Sequence, residues 1–230
     1  MTTHGEPFNK SAAKIQQAEF VQNLRSWRLY FDGLARRVEG VLASGFRTPA
    51  TLSLLSGVQL TRIHTNLCGV LMHSCLDPTG LSFDACHDDF LDMVDMVDDF
   101  LHNHAINPGI RFTFNHGIVA VINFVISNCR DTGLRWRALD LYRRVTWRDG
   151  VRDPLVHVIA DRALIELEAE GEDINGFIPA RSRYLWSAAS WDLDRRKLIS
   201  EYTCLVPNEY GKHTVVRREL DIDGNSPGLF

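Results

Sequence analysis

The stretch "HGIVAVINFVISN", residues 116 to 128, carries no formal charge apart from what His116 takes up, and every constraint on this chain starts there. Thirteen residues span about 20 Å as a helix, too short for a bilayer, which needs ~20 apolar residues. Asn123 also interrupts the apolar run. A segment this apolar and this short must be sheltered by other protein elements. The spacing predicts a helix over 116–128, buried on most sides, with Asn115 placed to cap it and Cys129-Arg130-Asp131 closing it.

The flanking segments read as the shelter. Residues 11–44 repeat apolar positions three, four or five apart (Ile15, Phe20, Leu24, Trp27, Tyr30, Leu34, Val38), with Gly33 a candidate break. "SGFRTP" stops that helix, and a second runs from about Ala50 to Ser74. Residues 82–103 form an acidic amphipathic helix. Phe83, Phe90, Val94, Val97 and Leu101 point inward, and Asp88, Asp89, Asp92, Asp95, Asp98 and Asp99 face water. After the buried segment, Thr132 is positioned to cap "GLRWRALDLYRRV". Its Leu134, Ala138, Leu141 and Val145 turn inward, and Arg135, Arg137, Arg143 and Arg144 are solvated. Asp153 and Pro154 open a further helix.

From Arg181 the period changes to two. "WSAASWDLDRRKLISEYTCLV" reads as strand, turn at Asp194-Arg195-Arg196, strand, and "HTVVRREL" as a third strand. The expected fold is mainly α: a multi-helix bundle or helical-hairpin array with a small C-terminal antiparallel β hairpin or sheet. Its organisation is a disordered lead (1–13), a helical domain (14–180), a β appendage packed on it (181–220) and a loose tail (221–230).

A net charge of −4 argues against a dedicated nucleic-acid binder. The five cysteines form no CxxC and no zinc-finger spacing, so no metal and no cofactor is expected. Nucleotide-binding, zinc-protease and serine-hydrolase signatures are absent. Cys129 reads as a packing residue and the His102-Asn103-His104 trio as a helix end.

The pattern over residues 115–170 resembles the C-terminal regulatory region of fungal zinc-cluster transcription factors. The likeness is carried by Cys129-Arg130-Asp131, Arg137-Ala138-Leu139, Arg148-Asp149-Gly150 and the run from Ile165-Glu166 to Gly171. Upstream, "LTRIHTNLCGVLMHSCLDPTGLSFDACHDDFLDMVDM" is similar too, as is "DLDRRKLI" downstream, so the resemblance covers about residues 10–220. The family's short cysteine-rich zinc cluster and adjoining basic stretch have no counterpart in these 230 residues. The resemblance implies a regulatory, effector-binding body in fungal secondary metabolism, without sequence-specific DNA binding of its own, in nucleus or cytoplasm.

Two functions stay open at this level. One is a regulatory-type helical module that binds a small apolar metabolite or a protein partner and allows a homodimer. Arg111, Asn115, Trp136 and Trp186 are its candidate ligand-binding residues. The other is a cofactor-independent enzyme acting on a small apolar metabolite, with His64 and His116 as acid–base residues lining a pocket. The enzyme needs a histidine facing a closed cavity with a second polar group in reach. The module needs an apolar cavity or an exposed apolar patch.

Overall fold

Residues 9–105, 112–113, 117–145, 148–149 and 154–222 are described by the computed structural model. Among them are six α-helices: α1 (Lys10–Ala43), α2 (Pro49–Ser74), α3 (His87–Ala105), α4 (Ile118–Asn128), α5 (Thr132–Tyr142) and α6 (Pro154–Ala169). A two-residue parallel pair, β1 (Phe112–Thr113) and β2 (Arg148–Asp149), brings the approach to α4 alongside the exit from α5. A three-stranded antiparallel sheet follows in the order β3 (Tyr184–Asp192), β4 (Lys197–Cys204), β5 (Val215–Asp221). The architecture is therefore mainly α with a C-terminal antiparallel sheet, as the change of period implied.

The uncharged segment is the centre of the bundle. Ile118, Val119, Val121, Ile122, Val125 and Ile126 are all buried on α4. They pack with Ile63 and Val70 of α2, Phe90, Met93, Val94 and Val97 of α3, Leu134, Ala138 and Leu139 of α5 and Ile165 of α6. Burying side chains of this size stabilises the fold by roughly 1.5–3 kcal/mol each before chain entropy is counted. The helix begins at Ile118, two residues later than its composition suggested. Its N-cap is Gly117, with no side-chain cap bond, and the expected cap Asn115 lies outside the described residues.

Other boundaries also move for identifiable reasons. Asn9 caps α1 by accepting from the Ser11 and Ala12 amides, so the helix starts inside the expected disordered lead. Gly33 does not break α1; a Cβ there would meet nothing within 4 Å, so the site is simply solvent-facing. Thr48 and Thr51 form a capping box around Pro49 at the start of α2. The acidic helix is a 3-10 segment (Leu81–Cys86) before it becomes α3. Asp77 holds that segment, its Oδ2 accepting from the Ser82 amide at 2.7 Å and its Oδ1 from Thr79 Oγ1–H at 2.6 Å. Partial burial raises the Asp77 pKa, but the donors from Thr79 and Ser82 outweigh it and bring it down to about 2. Asp131, not Thr132, caps α5, accepting from the Leu134 amide at 2.6 Å.

β4 is the middle strand and alternates strictly. Leu198, Ser200, Tyr202 and Cys204 are buried, and the residues between them are half-exposed. That inner face lies on α6, where Tyr202 packs with Ala163, Leu164 and Leu167 and donates its hydroxyl to the Ala160 carbonyl at 2.8 Å. The β3–β4 turn places Arg196 at φ 52, the left-handed geometry of a tight connection.

Candidate functional site

Three features of the structure carry chemistry or exposed surface beyond what a closed core needs. The first is a buried ionic junction where α4, α5, α6 and the sheet meet. Glu168 of α6 is fully buried and receives Arg135 Nη1 at 2.8 Å and Arg130 Nη1 at 3.2 Å. Its other oxygen, Oε1, accepts from the Tyr184 amide at 2.7 Å, pinning the first strand. Arg135 was expected on the solvated side of α5. It is instead 0 % exposed, because Glu168 comes from an element its own helical period could not reveal. Burial also lowers the Arg130 pKa, against the favourable field of Glu168, to about 10. Arg183 completes the junction, donating to the Ile178 and Gly80 carbonyls and to Asp84 Oδ2 at 2.6 Å. Asp161, one and a half to two turns before Glu168 on α6, accepts from Tyr142 Oη at 3.0 Å and from Asn123 Nδ2 at 3.0 Å. The junction's central groups, Glu168, Arg135, Arg183 and Asp161, are fully buried, so they fix the packing of α4, α5 and α6 and offer no substrate access.

The second feature is a cleft of about 200 Å³ beside the α1–α2 seam, lined by Arg28, Asp32, Arg62, Asn66 and Met96, with Phe31 and Thr65. Its polar groups are largely used internally. Arg28 Nη2 donates to the Thr65 carbonyl at 2.9 Å and Asn66 Oδ1 at 2.8 Å, and Arg62 pairs with Glu39. It is smaller than the roughly 300–1,000 Å³ of small-molecule sites and charged where an apolar metabolite would sit.

The third feature is the outer face of the α1–α2 hairpin. α1 is 34 residues long, yet Ala35 is its one buried residue. Phe20 (61 %), Trp27 (44 %), Leu34 (48 %) and Val41 (46 %) are exposed at seven-residue steps, with Tyr30 beside them at 83 %. Trp27 precedes Arg28 by one residue, about 100° around the helix, and its ring stacks on the cleft-lining Phe31 with centroids 5.0 Å apart, so the stripe starts at the rim of the cleft and runs along the outer side of α1. On α2, Leu54 and Cys68 are exposed as well, Leu54 at 58 %. Isolated surface apolar residues need no explanation, whereas a contiguous aromatic stripe marks an interaction surface.

The candidate residues named from sequence do not converge on one site. His64 sits on α2 with Nδ1 against the Leu60 carbonyl at 2.8 Å and Nε2 buried without a hydrogen-bond partner; it does not line the cleft. Trp136 is on α5, 36 % exposed. Trp186, on β3, is half-buried, donates its Nε1–H to the Ala188 carbonyl and meets the His157 ring edge-on at 5.2 Å, which makes it a packing residue between sheet and α6. His116, Arg111 and Asn115 lie outside the described residues. Cys129 is 2 % exposed, and burial pushes its thiol pKa up, so it supplies no thiolate. The acidic face of α3 is partly a docking edge, not wholly a solvated one: Asp95 pairs with Arg137 at 2.6 Å, and Asp98 with Arg144 and, at 3.5 Å, Arg137. The Arg144 hydrogen bond holds the Asp98 carboxyl below its usual range. Among the described residues no group of three His, Cys, Asp or Glu side chains is arranged to hold a metal ion. Among them, too, no helix is long and apolar enough to cross a membrane.

In the sequence, Phe20, Trp27, Tyr30 and Leu34 belong to one helical recurrence of apolar positions together with Ile15, Leu24 and Val38. The signal that separates them was present: Phe20, Trp27, Leu34 and Val41 keep a seven-residue step, while Leu24, Phe31 and Val38 form a second such row. Two rows on one helix imply two packing partners. No protein-family model, no curated protein and no solved structure matches this chain.

Proposed function

We propose that this chain is a regulatory-type helical module that works by binding a protein partner, one that lays an amphipathic helix on the outer face of the α1–α2 hairpin. The exposed stripe of Phe20, Trp27, Tyr30, Leu34 and Val41 carries the reading. The regulatory half rests on the resemblance to the effector region of zinc-cluster regulators, and fits action in the nucleus or cytoplasm. A protein partner is favoured over a small apolar metabolite because the described cleft is small and lined by charge, whereas the hairpin face is long and aromatic. An acid–base enzyme draws no support from His64, whose ring is tied to its own helix.

The test replaces Tyr30 by a photo-crosslinking phenylalanine analogue in the host cell, with Tyr210, equally exposed but on a loop, as the control position. A discrete protein adduct from position 30 and none from 210 is the expected result. In parallel, the chain is fused to an unrelated DNA-binding domain upstream of a reporter, and Trp27→Glu should change the output. No adduct from position 30, or a reporter indifferent to the substitution, overturns the reading.

A further inference from the structure

Which partner fits the hairpin face can be read from its charge. Glu19 and Arg37 are exposed on α1 and border the apolar stripe on its outer side. They are eighteen residues apart, five full turns at 3.6 residues each, so they share one side of the helix. No ion pair ties either residue within its own chain among the described residues. Two pairs on this face share a centre: Phe20 and Leu34 lie equally far from Trp27, and Glu19 and Arg37 equally far from Arg28, with Val41 one heptad beyond Leu34.

We infer that the outer face of the α1–α2 hairpin pairs with the same face of a second copy of this chain, α1 antiparallel to α1, about a two-fold axis crossing the helix at Trp27–Arg28. The inference rests on the protein-binding reading above and names its partner. In this register Phe20 of each copy meets Leu34 of the other, the two Trp27 side chains meet at the axis, and Glu19 meets Arg37 twice. The parallel alternative sets Glu19 against Glu19 and Arg37 against Arg37, two like-charge contacts in place of two opposite ones. The Phe20–Leu34 and Glu19–Arg37 pairs agree on the axis to within one residue, about 1.5 Å, and Val41 lies at the outer edge of the contact.

The area falls at the low end of the stable range. With three aromatic side chains offering 150–250 Å² each when fully exposed, the exposed surfaces of Phe20, Trp27, Tyr30, Leu34 and Val41 amount to roughly 600 Å² per copy. A standard stable interface buries about 800 Å² per partner. The stripe from Phe20 to Val41 is about 32 Å long, and the side facing α2 is already occupied, so an isologous pair of hairpins closes as a four-helix assembly and leaves no second face to propagate.

Sedimentation equilibrium on the whole chain tests this. At concentrations up to about 100 µM, in the range of ordinary protein–protein affinities, the chain should sediment at twice its 26.1 kDa. Tyr30→Glu, at a position 83 % exposed, should give a monomer with an unchanged melting curve. Glu19→Arg and Arg37→Glu should each raise the dimer dissociation constant about tenfold, and the two together should restore it. A monomer throughout the range overturns the self-pairing and leaves the protein-binding reading to the crosslink from position 30. A dimer indifferent to Tyr30→Glu overturns the choice of face. A dimer that the single charge reversals weaken but their combination does not restore overturns the antiparallel register.

Discussion

Replacing Glu168 by glutamine should be the most damaging isosteric change in the chain. The substitution keeps a carbonyl oxygen for the Tyr184 amide and adds no bulk, so it isolates the charge. In the native fold Glu168 is fully buried between Arg135 at 2.8 Å and Arg130 at 3.2 Å. Removing it leaves two guanidinium groups in the interior, whose Nε and Nη2 atoms already lack hydrogen-bond partners. Breaking a buried pair costs about 3–5 kcal/mol, because the abandoned charge stays desolvated. Two abandoned cations put the loss at the upper end of that range, against a total stability of roughly 5–15 kcal/mol for a chain of this kind. Urea unfolding followed by far-UV circular dichroism reads the change directly, provided the slope of the transition is unchanged. Glu166→Gln is the internal control: that carboxylate is 53 % exposed and pairs with Arg162 one turn away, a contact worth about 0.3–0.5 kcal/mol. A Glu168→Gln midpoint indistinguishable from that of the control would refute the reasoning that this carboxylate neutralises the junction.

Further outcomes follow from the same structure. Asp77, with its folded pKa brought to about 2 from 3.8, contributes stability that is fully present above pH 3.8 and is lost as the pH falls through about 2. Asp77→Asn should therefore flatten the acid limb of the stability curve below pH 4, measured by the melting temperature against pH. Asp131→Ala removes the N-cap of α5 and should destabilise the chain by about 1 kcal/mol in chemical denaturation, with Asp131→Asn retaining most of the native value. Gly171→Ala should destabilise, since its Cβ would sit 2.3 Å from Ser182 Oγ and 2.4 Å from Ser182 Cβ, and Ser182→Gly in the same chain should recover part of the lost melting temperature.

What was legible in the sequence was what repeats along a single element. The uncharged run made α4 a sheltered helix, because two and a half turns from Ile118 to Ile126 without a charge leave no polar face to turn toward water. The alternation in "KLISEYTC" made β4 a strand with one covered face for the same reason. Partners brought together from distant elements were not legible. Arg135 looks solvated on α5 until Glu168, thirty-three positions on, turns out to face it. Asp98 looks solvated until Arg144 of the neighbouring segment reaches it. The site residues suffered most from this, since His64, Trp136 and Trp186 stand on α2, α5 and β3 and periodicity gives no relation among those three elements. On α1 the period was read correctly as helical, but one row of apolar residues was merged with the other. The distinction between the row that meets α2 and the row left open is a matter of about 60° around the helix.

The central claim is that another polypeptide covers the outer face of the α1–α2 hairpin in the working protein. Brief radical labelling in the cell, read by mass spectrometry, tests it through two tyrosines of matched intrinsic exposure in the isolated chain, Tyr30 at 83 % and Tyr210 at 79 %. The account predicts that Tyr210 is oxidised and Tyr30 is protected several-fold, with Phe20 and Trp27 protected alongside it. Equal oxidation of Tyr30 and Tyr210 would contradict it.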